Sequence, residues 1–147
     1  TQRPSLYSMM AGARDMAGNF SMEMLERTVS SYRHVRGVEL KLSQGSEPGK
    51  GGLLPAAKVT DEIAFLRGVA PGMDCRSPDA HTAFSDIPSL LVFIESIASA
   101  TGLPVGIKSA VSAPEFWKEL ACAMRESGKG PDWIAIDGGE GGAGAAP

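Results

Sequence analysis

Cysteine is scarce in this chain: there are two, Cys75 and Cys122, far apart and without a CxxC spacing. A cytoplasmic setting follows, since thiols stay reduced there. Cys122 falls in a helical pattern and reads as a small core residue. Cys75 falls in a loop and reads as an inert thiol. No set of metal ligands stands out. No apolar run approaches the roughly 20 residues needed to cross a bilayer, so no membrane partner is expected. No signal-peptide pattern opens the chain. Lysine and arginine are dispersed and the formal net charge is −3, which argues against a nucleic-acid surface. There is no internal repeat, and the only biased segment is the glycine-rich tail.

What is present is 147 residues, 43% hydrophobic and 21% charged, the composition of one globular unit with a core. The informative stretch runs from Val38 to Val59. Val38, Leu40 and Leu42 alternate with Glu39 and Lys41, the period-two pattern of a strand with two unlike faces. A loop follows with Gly45, Gly49, Gly51 and Gly52. Glycine lets backbone N–H groups approach a ligand closely. Two further strands are legible. In Pro104–Lys108, Val105 and Ile107 share a face, and Gly106 and Lys108 share the other. In Trp133–Asp137, Ile134 and Ile136 oppose Trp133, Ala135 and Asp137, and a second glycine-rich loop follows.

All three strands end with a charged residue on the less aliphatic face: Lys41, Lys108 and Asp137. In a (β/α)8 barrel that face looks inward, and binding groups sit at the carboxyl ends of the strands. Convergence of these three at one mouth is therefore expected, and a structural ion-pair network is the alternative.

These stretches carry a resemblance. KLSQGSEPGKGGLLPAAKV, Leu66-Arg67-Gly68 with Pro71-Gly72, Ser77-Pro78 with His81 and Phe84-Ser85, VGIK, and DGGEGGAGAAP resemble the FMN-binding synthase domain of glutamate synthases. They are most similar to its stand-alone, glutaminase-lacking branch. The likeness runs from about Gly37 to Pro147. It implies an FMN-containing (β/α)8 barrel that reduces 2-iminoglutarate, formed from 2-oxoglutarate and ammonia, to L-glutamate. By position it implies that Lys41, Gln44 and Lys108 contact the isoalloxazine. Gly138, Gly139, Gly141 and Gly142, with Asp137 before them, lie near the FMN. Arg67 binds a substrate carboxylate, and Gly51 and His81 line the substrate side. No catalytic acid or base is nominated. The family's iron–sulfur cysteines are absent here, so no cluster is expected on this chain.

Two residues depart from the family pattern: Glu47 stands where lysine is common, and Leu53 where full glutamate synthases have glutamine. Both bear on the dicarboxylate rather than on the flavin. They leave open a flavin-binding remnant without turnover. A third reading, an FMN barrel acting on 2-hydroxy acids, lacks the glycine-loop pattern and ranks last.

A complete (β/α)8 barrel takes about 250 residues. The expectation is therefore a single incomplete α/β unit over residues 1–147: about half a barrel, with parallel strands and flanking helices. Such a unit needs the remainder of the barrel or a partner chain and is not expected to be active alone. The start without methionine and the end at Pro147 point the same way.

Between the strands, Ser5–Met16 reads as a short helix or loop, and Ser21 as the N-cap of a helix to about Arg33. An irregular strand is expected near Met73–Arg76. Ser85 or Asp86 should cap the next helix, and Ser112 with Glu115 should form a capping box for the last one.

Overall fold

The computed structural model describes residues 5–9, 13–15, 19–43, 45, 52–67, 70–77, 81–111 and 113–141. Its centre is a four-stranded, all-parallel sheet in the order β1 (Ser5–Met9), β2 (Val35–Lys41), β5 (Val105–Ser109), β6 (Ile134–Ile136). Helices α1 (Met22–Ser31), α3 (Ile87–Thr101) and α4 (Pro114–Ser127) flank it, and a short α2 (Asp61–Arg67) lies between β2 and α3 in sequence. This is a mixed α/β chain, consistent with part of a (β/α)8 barrel.

The sheet is two-faced because β2 and β5 alternate in phase. Val38 pairs with Val105 and Leu40 with Ile107. All four are fully buried. They pack in one core with Leu25 of α1, Leu90, Ile94 and Ile97 of α3, and Leu120 of α4. Burying each such side chain stabilises the fold by about 1.5–3 kcal/mol. Helix stripes at i, i+3, i+4 and i+7 meet strand positions two apart, so one face of the sheet is committed to the helices.

The helix ends follow local chemistry. The Ser21 hydroxyl accepts from the Met24 N–H, as expected of an N-cap. Asp86 caps α3 by accepting from the Ser89 N–H at 2.8 Å, and the Ser89 hydroxyl accepts from the Asp86 N–H at 3.1 Å. Gly102 and Gly128 close α3 and α4 with φ of 66°, a conformation that costs other residues energy.

Several expectations are corrected. Ser5–Met9 is a strand, paired parallel to β2. Helix α1 ends at Ser31, and β2 starts at Val35 rather than Val38. The expected irregular strand is β4 (Cys75–Ser77), and it does not join the parallel sheet. It pairs antiparallel with β3 (Gly52–Leu54) in a separate two-stranded ribbon. Here the glycine loop folds back on a distant loop, a non-local pairing that periodicity does not reveal. Helix α4 begins at Pro114 after Ala113, which offers no side-chain cap; Ser112 lies outside the described residues. Cys122 is exposed rather than buried. It lies two positions from the buried Leu120, on the far side of the helix.

Candidate functional site

The face opposite the helices is built in layers two residues apart, about 6.6 Å along the strands. The lower layer is Glu39, Gly106 and Trp133. Glu39 lies beside Gly106 in register. The Trp133 ring crosses Gly106 so closely that a Cβ there would fall inside the indole. Its Nε1–H donates to Glu39 Oε2 at 3.3 Å. Glu39 is 8% exposed, so a carboxylate is buried in the floor of this face. The upper layer is Lys41, Lys108 and Ala135, adjacent in register on three strands. Asp137 follows one step beyond β6.

The structure brings Lys41, Lys108 and Asp137 together. Lys108 Nζ is 3.0 Å from Asp137 Oδ1. Asp137 Oδ2 accepts from the Gly45 N–H at 2.8 Å. Burial pushes the Asp137 carboxyl up; the Gly45 N–H, the hydrogen bond and charge of Lys108, and the Lys41 charge outweigh it. The group is held below the usual aspartate value. Lys108 and Asp137 side chains are 30% and 8% exposed, so the pair is shielded on the acid side and open on the lysine side.

Strand exits are stitched where the site forms. Leu42 N–H donates to the Lys108 carbonyl at 2.8 Å and Asp137 N–H to the Ser109 carbonyl at 3.0 Å. The Ser43 hydroxyl accepts from Ala110 N–H at 2.9 Å and lies 3.1 Å from the Ser109 hydroxyl. The two glycine loops meet here: a Cβ on Gly45 would collide with the Gly138 carbonyl, and one on Gly141 with the Asp137 carboxylate. Those two glycines are needed for chain-on-chain packing, irrespective of any ligand. Gly138 would meet only the Glu140 side chain, and Gly139 has open space on its Cβ side.

His81 is placed elsewhere. Its ring stacks on Phe84 at 5.0 Å and tilts against Phe93 at 5.8 Å. With Leu42, Phe84, Asp86, Leu90 and Phe116 it lines a cavity of about 530 Å³. Leu90 and Phe93 belong to the helix-side core, and the cavity His81 lines reaches Leu42, the residue after β2. Arg67 ends α2; its side chain, and Gln44, Glu47, Gly51 and Gly142, lie outside the described residues. Sequence reading missed Glu39, Ser43, Ser109 and Trp133 as parts of the site. The period-two pattern did put Glu39, Gly106 and Trp133 on the inner face; what it lacked was the cross-strand register that sets them side by side.

Among the described residues no group of histidine, cysteine, aspartate and glutamate is arranged to hold a metal ion. None of the helices there is long and apolar enough to cross a membrane.

The architecture defines a class: a helix-covered parallel sheet whose strands end in a charged rim beside glycine-rich loops. Comparison with known proteins makes it specific. Residues 24–147 match the family model described as the conserved region in glutamate synthase. The chain is 43% identical over 135 residues to the glutamate synthase large subunit-like protein YerD of Bacillus subtilis, covering 92% of this chain and 25% of that one. It is 41% identical over 112 residues to an archaeal-type glutamate synthase (NADPH) of Thermotoga neapolitana, covering 75% and 21%. A third relative, the archaeal glutamate synthase (NADPH) of Methanocaldococcus jannaschii, is 39% identical over 114 residues, covering 75% and 21%. The chain belongs to the glutamate synthase family. It spans a quarter or less of the length of these relatives.

Proposed function

We propose that this chain is the part of a glutamate-synthase-type oxidoreductase that holds FMN, and that the protein containing it reduces 2-iminoglutarate to L-glutamate. The observation that carries the reading is the side-by-side placement of Lys41 and Lys108 at the ends of adjacent strands, in a chain of this family. The residues fit such a group. Two ammonium groups face the same way, one carboxylate tempers them, and the space beside Gly139 is open.

When bound, FMN supplies the hydride chemistry; the protein binds and tunes it. In this reading Lys41 and Lys108 present positive charge to the electron-rich edge of the ring system. Gln44 offers a donor and an acceptor to its pyrimidine edge. Gly138, Gly139, Gly141 and Gly142 form the loop close to the FMN. Arg67 takes a carboxylate of the 2-oxo acid through its guanidinium fork, with Gly51 and His81 on the substrate side. An iron–sulfur cluster is not assigned to this segment. The rest of the barrel, on the same or a partner chain, completes the site. A cytoplasmic setting, with no nucleic-acid or membrane partner, completes the reading.

Glu47 favours a second reading, a flavin-binding module that no longer turns over 2-oxoglutarate, because it reverses the charge the family commonly has there. The test is direct. The full-length protein should purify yellow or take up added FMN, and its reduced flavin should be reoxidised by 2-oxoglutarate with ammonia. Reduction without that reoxidation selects the second reading. Failure to bind FMN at all rejects both.

A further inference from the structure

We propose that Asp137 is a positioning residue: one carboxylate oxygen holds Lys108 and the other holds the loop after β2, so lysine and loop are set together. The role assigned to that lysine rests on the FMN reading above; the latch itself does not.

Three observations carry it. The two oxygens have different partners, Lys108 Nζ at 3.0 Å and Gly45 N–H at 2.8 Å. The carboxylate is 8% exposed while the lysine is 30% exposed, so the acid faces inward and the lysine is the group offered outward. The packing around the latch tolerates nothing larger than glycine: Gly45 lies on the Gly138 carbonyl, and Gly141 covers the Asp137 carboxylate. Each oxygen has a protein partner, and Gly141 lies against the carboxylate. Asp137 acts through Lys108 and Gly45, and it joins the exits of β2, β5 and β6.

Each contact can be removed separately. Asp137→Asn keeps an acceptor for the Gly45 N–H and removes the charge partner of Lys108. Gly45→Ala displaces the loop and leaves the ion pair. Asp137→Ala removes both. In the full-length protein without flavin, hydrogen exchange across residues 43–45 should rise by about ten-fold in Asp137→Ala and Gly45→Ala, the loss expected for a hydrogen bond to a charged group. It should rise less in Asp137→Asn, whose amide oxygen still accepts from Gly45 but without the charge. With FMN loaded, Asp137→Asn should shift the flavin midpoint potential, a readout that loop packing alone does not move, and Gly45→Ala should weaken flavin binding. Wild-type exchange in Asp137→Ala overturns the latch, and an unchanged potential in flavin-loaded Asp137→Asn overturns its action on the flavin through Lys108. If Asp137→Ala fails to fold, the near-isosteric Asp137→Asn still decides through the potential. If the wild-type protein takes up no FMN, the flavin reading fails, while the exchange measurement still judges the latch.

Discussion

Lys108 and Asp137 meet at 3.0 Å across the ends of β5 and β6, with the second carboxylate oxygen bound to the Gly45 N–H. Burial alone raises this carboxyl; its hydrogen bonds and the two lysine charges depress it further than burial lifts it. A depressed folded-state pKa means the group contributes stability above its unfolded value of ~3.9, and that contribution is lost as pH falls through the folded value. Acid unfolding should therefore be shallower in Asp137→Asn than in wild type below about pH 4. Denaturant midpoints measured between neutral and acidic pH check this. Parallel curves for the two proteins would contradict it.

Glycines 45, 139 and 141 separate packing from ligand approach. Gly45→Ala and Gly141→Ala should each destabilise by about 1–3 kcal/mol, the usual cost of overpacking, because backbone or carboxylate fills the space. Gly139→Ala meets nothing within 4 Å and should leave thermal unfolding unchanged while weakening FMN binding. Loss of stability in Gly139→Ala, with binding intact, would reverse the assignment.

The buried floor makes a third prediction. Trp133→Phe removes the indole N–H that Glu39 accepts, leaving a buried carboxylate short of a donor at a cost of about 1–3 kcal/mol. Glu39→Gln in the same background should recover part of that loss, since a neutral amide is cheaper to bury. Chemical denaturation of the two variants tests it. Gly106→Ala should be at least as damaging, because the new methyl meets the indole ring.

On the helix-covered side, Ile134 and Ile136 of β6 are 41% and 55% exposed, and β5 is the one strand beside β6 among the described residues. An apolar edge invites pairing. The 147-residue chain should self-associate, and Ile136→Lys should reduce the associated mass seen by light scattering. Val92, exposed on a helix and away from any edge, is the control: Val92→Lys should change nothing.

The alternation in Val38–Leu42, Pro104–Lys108 and Trp133–Asp137 was enough to read three strands with their inner and outer faces; the helices between them gave the parallel order, and the barrel reading gave the meeting of Lys41, Lys108 and Asp137. Period-two patterning reports which face a residue takes, and register then follows from the shared core. It could not report β1, whose Ser5–Met9 pattern lacks strong alternation, or the β3–β4 ribbon, which depends on contact between segments 20 residues apart. Nor could it show why Gly45 and Gly141 are glycine. A sequence offers ligand approach as the reason, while the structure shows backbone and carboxylate filling the space. The motif offers His81 for the substrate side; the structure adds that its ring stacks on Phe84 in a cavity it shares with Leu42.

Lys41 and Lys108 are proposed to present their charge to a flavin. The measurement closest to it is a titration of the full-length apoprotein with FMN, followed by absorbance, for wild type, Lys41→Ala and Lys108→Ala. Wild type should bind with a shifted flavin spectrum, and each variant should bind about ten-fold or more weakly, as expected when a charge-assisted contact is lost. Identical binding in all three proteins, or none in wild type, would contradict it.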